Sequence, residues 1–93
     1  MKIFKYELQL ADDQQVELPH GAEILSVQFQ KDQQGHEILQ LWALVDEYEK
    51  IMVPRLIRMY GTGHYMAGHP GKFLGTVQEA GGALIWHIFD TSN

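Results

Sequence analysis

The stretch Phe4-Lys5-Tyr6-Glu7-Leu8-Gln9-Leu10 alternates apolar and polar side chains with a period of two. Successive side chains of a β-strand point to opposite faces, so this alternation is typical of a strand with one face in water and one against a core. We therefore predict a first strand here. Asp12-Asp13 marks a turn, after which Val16 and Leu18 alternate with polar neighbours and predict a second strand that closes a hairpin with the first.

The same period recurs along the rest of the chain, between turns marked by glycine and proline. Pro54 lacks a backbone N–H and confines the start of one predicted strand to an edge or a bulge. Two other segments are apolar at both parities, which is typical of strands that are covered on both faces. The five further predicted strands cover residues 23–30, 38–45, 52–60, 73–78 and 83–89.

Composition supports one folded all-β domain. The 93 residues are 45% hydrophobic with a formal net charge of −5, so the chain can bury enough apolar surface to offset its conformational entropy. No window carries the i, i+3, i+4, i+7 spacing of an amphipathic helix with caps at both ends. We expect a single domain over residues 1–93, built as a small antiparallel sandwich or open barrel of about seven short strands.

Charge and cysteine content exclude several classes of function. Seven Lys plus Arg face 12 Asp plus Glu, the opposite of the basic surface that a nucleic-acid backbone requires. The chain has no cysteine, which excludes disulfides, thiol nucleophiles and cysteine-based metal centres. No apolar run approaches the roughly 18 residues of a membrane span, and no signal-peptide pattern is present. We therefore expect a cytoplasmic protein that binds neither nucleic acid nor membranes.

The glycine-rich segment after residue 60 is the strongest candidate for a ligand site. The glycines of Gly61-Thr62-Gly63-His64 expose backbone donors, and both arginines of the chain lie on the strand that leads into this segment. The alternative is a stiff turn, with Arg58 covering apolar surface and Arg55 paired with the acidic residues 46–49. The candidate ligand-binding residues are Arg55, Arg58, Tyr60, Thr62, His64 and Tyr65.

Catalytic and metal-binding patterns are missing from the sequence. The only serines are Ser26 and Ser92, and neither lies in a Gly-x-Ser-x-Gly motif. His64, His69 and His87 do not have the spacing of metal ligands, and His87 is interpreted as a buried or interface histidine with one hydrogen-bond partner. We predict a protein that is not an enzyme and holds no metal or cofactor.

The two strands that are apolar on both faces predict self-association. A two-layer domain of this size normally leaves one face of each sheet in water, and a second copy is the simplest cover for the excess apolar surface. Tryptophans are common at the centres of such interfaces. We predict a homo-oligomer whose interface includes Trp42, Leu44, Trp86 and Ile88.

Four segments of the chain resemble successive blocks of a small family of uncharacterised bacteriophage and prophage proteins. They are residues 21–28, residues 41–46, the segment Arg58-Met59-Tyr60-Gly61-Thr62-Gly63-His64 and the segment Gly81-Gly82-Ala83-Leu84-Ile85-Trp86-His87-Ile88-Phe89. The similarity spans nearly the whole chain. The family is a domain of unknown function, so the resemblance implies a phage setting and carries no catalytic residue.

A phage setting favours two classes of function for a small acidic protein. The first is a binding protein in the cytoplasm of the bacterial host, acting as a counter-defence factor that binds a host protein or sequesters a nucleotide signal. The second is a structural or assembly accessory protein built on a homo-oligomer.

Overall fold

The computed structural model describes residues 1–92. In this part of the chain, seven β-strands follow one another, with a 3-10 turn at Ala80–Gly82 before the last. The strands are β1 (Lys2–Glu7), β2 (Asp13–Pro19), β3 (Glu23–Lys31), β4 (Glu37–Val45), β5 (Met52–Gly61), β6 (Lys72–Glu79) and β7 (Leu84–Asp90). The prediction of an all-β fold is confirmed. Within residues 1–92, no helix is long and apolar enough to cross a membrane.

The strands form two antiparallel sheets, a three-stranded sheet of order β1-β4-β3 and a four-stranded sheet of order β2-β5-β7-β6. Over residues 1–92 the sheets do not close into a barrel, and the arrangement is a small sandwich. The predicted hairpin between the first two strands is wrong, because β1 pairs with β4 and β2 pairs with β5. Leu8, only 3% exposed, enters the core where the chain crosses from one sheet to the other.

The core lies between the two sheets and is built from alternate residues of the strands, with the alternation shifted at the irregularity in β3, where both Ile24 and Val27 are buried. In β4, for example, alternate residues from Leu39 to Val45 are almost fully buried, whereas Trp42 and Leu44 on the opposite face are half-buried. Each sheet therefore has one inner face and one outer face. The largest fully buried side chains are Leu18, Leu39, Leu41, Val45, Ile57 and Ile88.

The location of Pro54 agrees with the sequence prediction. Met59 N donates to Asp12 O at 3.1 Å, so the odd-numbered residues of β5 direct their backbone groups to β2 and the even-numbered residues direct theirs to the other side. On that other side β7 pairs with β5 only from Ile57 onward. Pro54 therefore lies where β5 is locally an edge, and no ladder hydrogen bond is lost.

Candidate functional site

The outer face of the four-stranded sheet carries a row of side chains contributed by all four strands. The pairing register places Asp13, Arg58, Phe89 and Phe73 next to one another across the sheet. The rings of Phe73 and Phe89 are 5.4 Å apart, and Tyr60 approaches Phe89 at 5.9 Å, both edge to face. This face therefore presents an aromatic surface beside one pair of opposite charges.

Arg58 is the charged centre of this outer face. Its Nε lies 2.6 Å from Asp13 Oδ1, in a pair whose side chains are both more than half exposed. The Tyr60 side chain and then the Asp13 carboxylate raise the pKa of Arg58 above its ordinary value. Because exposed ion pairs contribute little net energy, another anion can replace Asp13 at small cost.

Arg55 does not reach this site. It lies three positions before Arg58 on β5, on the inner face, and its Nη1 donates to Ala22 O at 3.0 Å. Its Nε and Nη2 contact Asp90 Oδ2 at 3.0 and 2.9 Å. The structure therefore separates the two arginines that were predicted to act together, and it gives Arg55 the partner Asp90 and not the acidic segment 46–49.

The loop after β5 folds back onto the strand. His64 N donates to Gly61 O at 3.2 Å, and Gly63 has a φ of 84°, a backbone conformation that favours glycine. The His64 ring packs on Gly61 so closely that a Cβ at position 61 would lie 2.8 Å from His64 Cε1. Tyr65, the next residue, is 89% exposed. Glycine at 61 thus allows the imidazole to lie against the strand while Tyr65 extends into solvent.

These side chains border an open cleft of about 330 Å³ at the end of β5. Three ring-bearing side chains and one guanidinium line it together with two carboxylates, so it offers flat surface and charges of both signs. The lining residues are Asp12, Asp13, Arg58, Met59, Tyr60, His64 and Tyr65.

Thr62 does not line this cleft and has a different contact. Its Oγ1 lies 2.8 Å from Nε2 of His87, and Thr76 Oγ1 lies 2.9 Å from Nδ1 of the same ring. His87 is half-buried on the outer face and has two partners, where the sequence interpretation assigned it one. Because both ring nitrogens are engaged, the ring is held in one orientation and connects the loop to β6 and β7.

The four predicted interface residues lie on two different surfaces. Trp42 and Leu44 are on the outer face of the three-stranded sheet, half-buried. Trp86 and Ile88 point toward the other sheet, where Ile88 is 0% exposed and Trp86 packs against the core. Ile88, fully buried within the single chain, has no surface to offer a second copy, whereas the assignment of the half-buried Trp86 to an interface stays a prediction.

The sequence interpretation missed the two acidic residues of the cleft and the aromatic neighbours of Arg58. Asp12 and Asp13 were interpreted only as a turn, and they meet Arg58 because β2 pairs with β5. Phe73 and Phe89 meet for the same kind of reason. The parity of these four residues could have assigned each side chain to a face of its strand, but no local signal identifies the partner strand.

Among residues 1–92, no three His, Cys, Asp or Glu side chains are grouped as metal ligands would be.

Comparison with known proteins gives a family match and no assigned activity. A family model described as a domain of unknown function (DUF7352) matches residues 1–93. No curated protein matches the chain. No solved structure matches it either.

Proposed function

We propose that this chain, which belongs to the DUF7352 family of domains of unknown function, is a non-enzymatic protein that binds a small anionic ligand with a flat ring. The observation that carries the proposal is the location of Arg58 in a cleft lined by Tyr60, His64 and Tyr65. A guanidinium group suits phosphate or carboxylate, and aromatic side chains suit a planar base.

The two carboxylates of the cleft narrow the class of ligand. Asp12 and Asp13 repel a simple anion such as inorganic phosphate, but they accept hydrogen bonds from hydroxyl and amino groups. A nucleotide combines an acidic group for Arg58 with a ribose and a base that donate to carboxylates. The volume of about 330 Å³ is near the lower end of ordinary ligand sites, so we expect a mononucleotide or cyclic nucleotide.

A nucleotide-binding role agrees with the phage or prophage setting that the sequence resemblance implies. A small protein without catalytic groups can act in the cytoplasm of a bacterial host by sequestering a nucleotide signal, as a counter-defence factor does. The alternative form of the counter-defence role is binding of a host protein. The candidate surface for it is the aromatic outer face formed by Tyr60, Phe73 and Phe89. A structural or assembly role requires self-association. The interface predicted for it, on the face that carries Trp42 and Leu44, stays a prediction.

Isothermal titration calorimetry with a panel of linear and cyclic nucleotides tests the proposal. Arg58→Ala should weaken binding by about tenfold or more, since it removes the charged hydrogen-bond donor. Asp13→Asn should strengthen binding severalfold, because it releases Arg58 from its ion pair and removes a repelling charge, while Oδ1 of the asparagine still accepts a hydrogen bond from the ligand. Lys31→Ala is the matched control, since it also removes one positive charge but lies at the end of β3, outside the cleft.

Two results would contradict the proposal. If the wild-type protein binds no member of the panel, the cleft is not a nucleotide site. If Arg58→Ala and Lys31→Ala weaken binding equally, the attraction comes from the overall charge and not from the cleft. Circular dichroism of each variant shows whether it is folded before the titration.

A further inference from the structure

A second cleft lies beside the ligand cleft, on the opposite side of the end of β5. The first cleft is on the β2 side, where two aspartates line it. The second has a volume of about 290 Å³ and is on the β7 side, lined by Gly61, Thr62 and His64 and by residues 83–86. His64 lines both clefts, because its ring packs on Gly61 at the end of the strand. The two clefts are therefore neighbours that share one imidazole as a wall.

The second cleft differs from the first in its charge. Among residues 1–92, those that line it carry no fixed charge, whereas the first cleft has Arg58 and two carboxylates. Leu84 and Ile85 in its wall are 48% and 37% exposed. The indole of Trp86 offers a flat surface, and its Nε1 donates to Glu79 Oε1 at 3.5 Å. This cleft therefore suits an uncharged flat group and not a second phosphate.

The backbone of β7 reaches the second cleft at Ile85. Thr91 N donates to Leu56 O at 2.8 Å, so the odd-numbered residues of β7 direct their N–H and C=O groups toward β5. The pairing of these two strands ends with Gly61 opposite Trp86, and Ile85, the next odd-numbered residue, has no counterpart in the described ladder. At least one backbone group of Ile85 is therefore open to the cleft, where it can bond to the edge of a base.

The two clefts are too far apart for one ring to fill both. Neighbouring strands lie about 4.8 Å apart, so β2 and β7, on either side of β5, are separated by about 10 Å. A ring that occupies one cleft leaves the other unfilled. Two nucleosides that are joined through one phosphate carry a ring on each side of that phosphate, so such a ligand can occupy both clefts.

The charges of the first cleft favour a phosphodiester over a terminal phosphate. A terminal phosphate carries about 1.5 to 2 negative charges at pH 7, whereas a phosphodiester carries a single one. The first cleft has one guanidinium, that of Arg58, beside Asp12 and Asp13. Arg58 matches the single charge of a phosphodiester, and the two aspartates repel any charge in excess of it.

We propose that the two clefts together bind a dinucleoside monophosphate, with the phosphodiester at Arg58 and one base in each cleft. This inference rests on the proposed function, because the first cleft must bind a nucleotide before the second can add a base. In the first cleft one base lies against Tyr60 and Tyr65. In the second cleft the other base lies against Trp86 and bonds to the open backbone group of Ile85.

Calorimetry with pairs of matched ligands tests the contribution of the second base. The probes are ApA, CpC, GpG and UpU, each compared with the methyl ester of the matching nucleoside monophosphate, which has the same single charge but only one base. At least one dinucleoside monophosphate should bind about tenfold tighter than its methyl ester, as expected for a base that stacks on an aromatic side chain. Equal affinities in all four pairs overturn this inference and leave the proposed function in place. If no nucleotide of any kind binds, both are overturned.

A substitution in the wall of the second cleft tests its location. Leu84→Ser should reduce the tenfold advantage to about threefold or less and leave the affinity for the methyl ester unchanged, because only the second base contacts this wall. Leu25→Ser is the matched control, since Leu25 is 44% exposed and lies on β3, outside both clefts. Equal effects of the two substitutions overturn the second cleft as the site. Weaker binding of the methyl ester by Leu84→Ser overturns the assignment of one base to each cleft.

The fluorescence of Trp86 gives a second readout. The chain has two tryptophans, and Trp42 lies on the other sheet, so Trp42→Phe leaves Trp86 as the single emitter. In this variant, saturation with the dinucleoside monophosphate should change the emission of Trp86, because the second base lies on the indole, whereas saturation with the methyl ester should not. Tight binding of the dinucleoside monophosphate without any change in emission places the second base elsewhere and overturns the inference.

Discussion

Arg55 directs two guanidinium nitrogens at a single carboxylate oxygen of Asp90, with Nε at 3.0 Å and Nη2 at 2.9 Å. The pair lies between the sheets, where the Asp90 side chain is 5% exposed, and the third nitrogen of Arg55 donates to Ala22 O. Ser92 donates to the other carboxylate oxygen from its backbone N and from its hydroxyl. This cluster therefore joins β5, β7 and the turn before β3 at one end of the sandwich.

Removing the Arg55 guanidinium from this cluster should lower the stability of the fold. Arg55→Met keeps much of the apolar stem but leaves the Asp90 carboxylate buried without its charged partner, which should lower the free energy of unfolding by about 3 kcal/mol. Arg58→Met is the matched control on the same strand, since the exposed Asp13 that it leaves is fully hydrated. Urea denaturation measures both. Equal losses in the two variants would mean that the buried pair does not contribute more than the exposed one.

The same carboxylate should make stability depend on pH. Burial acts to raise the pKa of Asp90, but hydrogen bonds from Ser92 and from Arg55 outweigh it and lower the pKa below its ordinary value. A lowered pKa in the folded state means that the stabilisation is complete above the unfolded pKa, about 3.9, and is lost as the pH falls through the folded value. The wild type should therefore exceed Asp90→Asn in stability at pH 7, and the gap should close in strong acid.

Urea midpoints of the two proteins from pH 7 to pH 2 measure this gap. Asp32, whose pKa is lowered chiefly by the backbone N–H of His36, contributes in the same direction, but it is present in both proteins and cancels in the comparison. A gap that stays constant to pH 2 would assign the Asp90→Asn loss to packing and not to ionisation.

Gly71 should tolerate substitution less well than Gly63. Both have positive φ, 109° and 84° respectively, so alanine is strained at either position. At Gly71 a Cβ would in addition collide with the backbone carbonyl oxygen of Asp90, whereas at Gly63 it would meet nothing within 4 Å. We expect Gly63→Ala to cost about 1–2 kcal/mol and Gly71→Ala clearly more. Thermal denaturation of the two variants measures the order, and a reversed order would contradict the close approach at Gly71.

Thr62 should hold the loop after β5 in place through His87. Thr62→Val removes the hydroxyl at His87 Nε2, so the amide of His64, which bonds to Gly61 O, should exchange faster with solvent. Thr76→Val removes the hydroxyl at the other ring nitrogen and serves as the control, because Thr76 lies on β6 and not in the loop. Equal acceleration in both variants would show that the orientation of the ring, and not the Thr62 contact, orders the loop.

The spacing of Arg55 and Arg58 shows what the alternation of faces along a strand could have predicted by itself. Three positions along a strand separate opposite faces, so the sequence already implied that the two arginines could not line one site. Trp86 and Ile88, by contrast, have the same parity and therefore share a face. Whether that face is the inner or the outer one depends on where the second sheet packs. Parity could thus have removed Arg55 from the predicted site, and it could not have assigned Ile88 to the core.

The period-two alternation and the glycine and proline punctuation by themselves determined that this chain is all-β and where most of its strands lie. β3 was expected over 23–30 and spans Glu23–Lys31, and β7 was expected over 83–89 and spans Leu84–Asp90. These features are local, since a side chain's face follows from its own backbone. Only the tertiary structure decided which strands pair, and with that the meeting of Asp13 with Arg58 and of Arg55 with Asp90. Such pairs join residues 45 and 35 positions apart along the chain, because burial of a common core selects the pairing and no neighbouring residue encodes it.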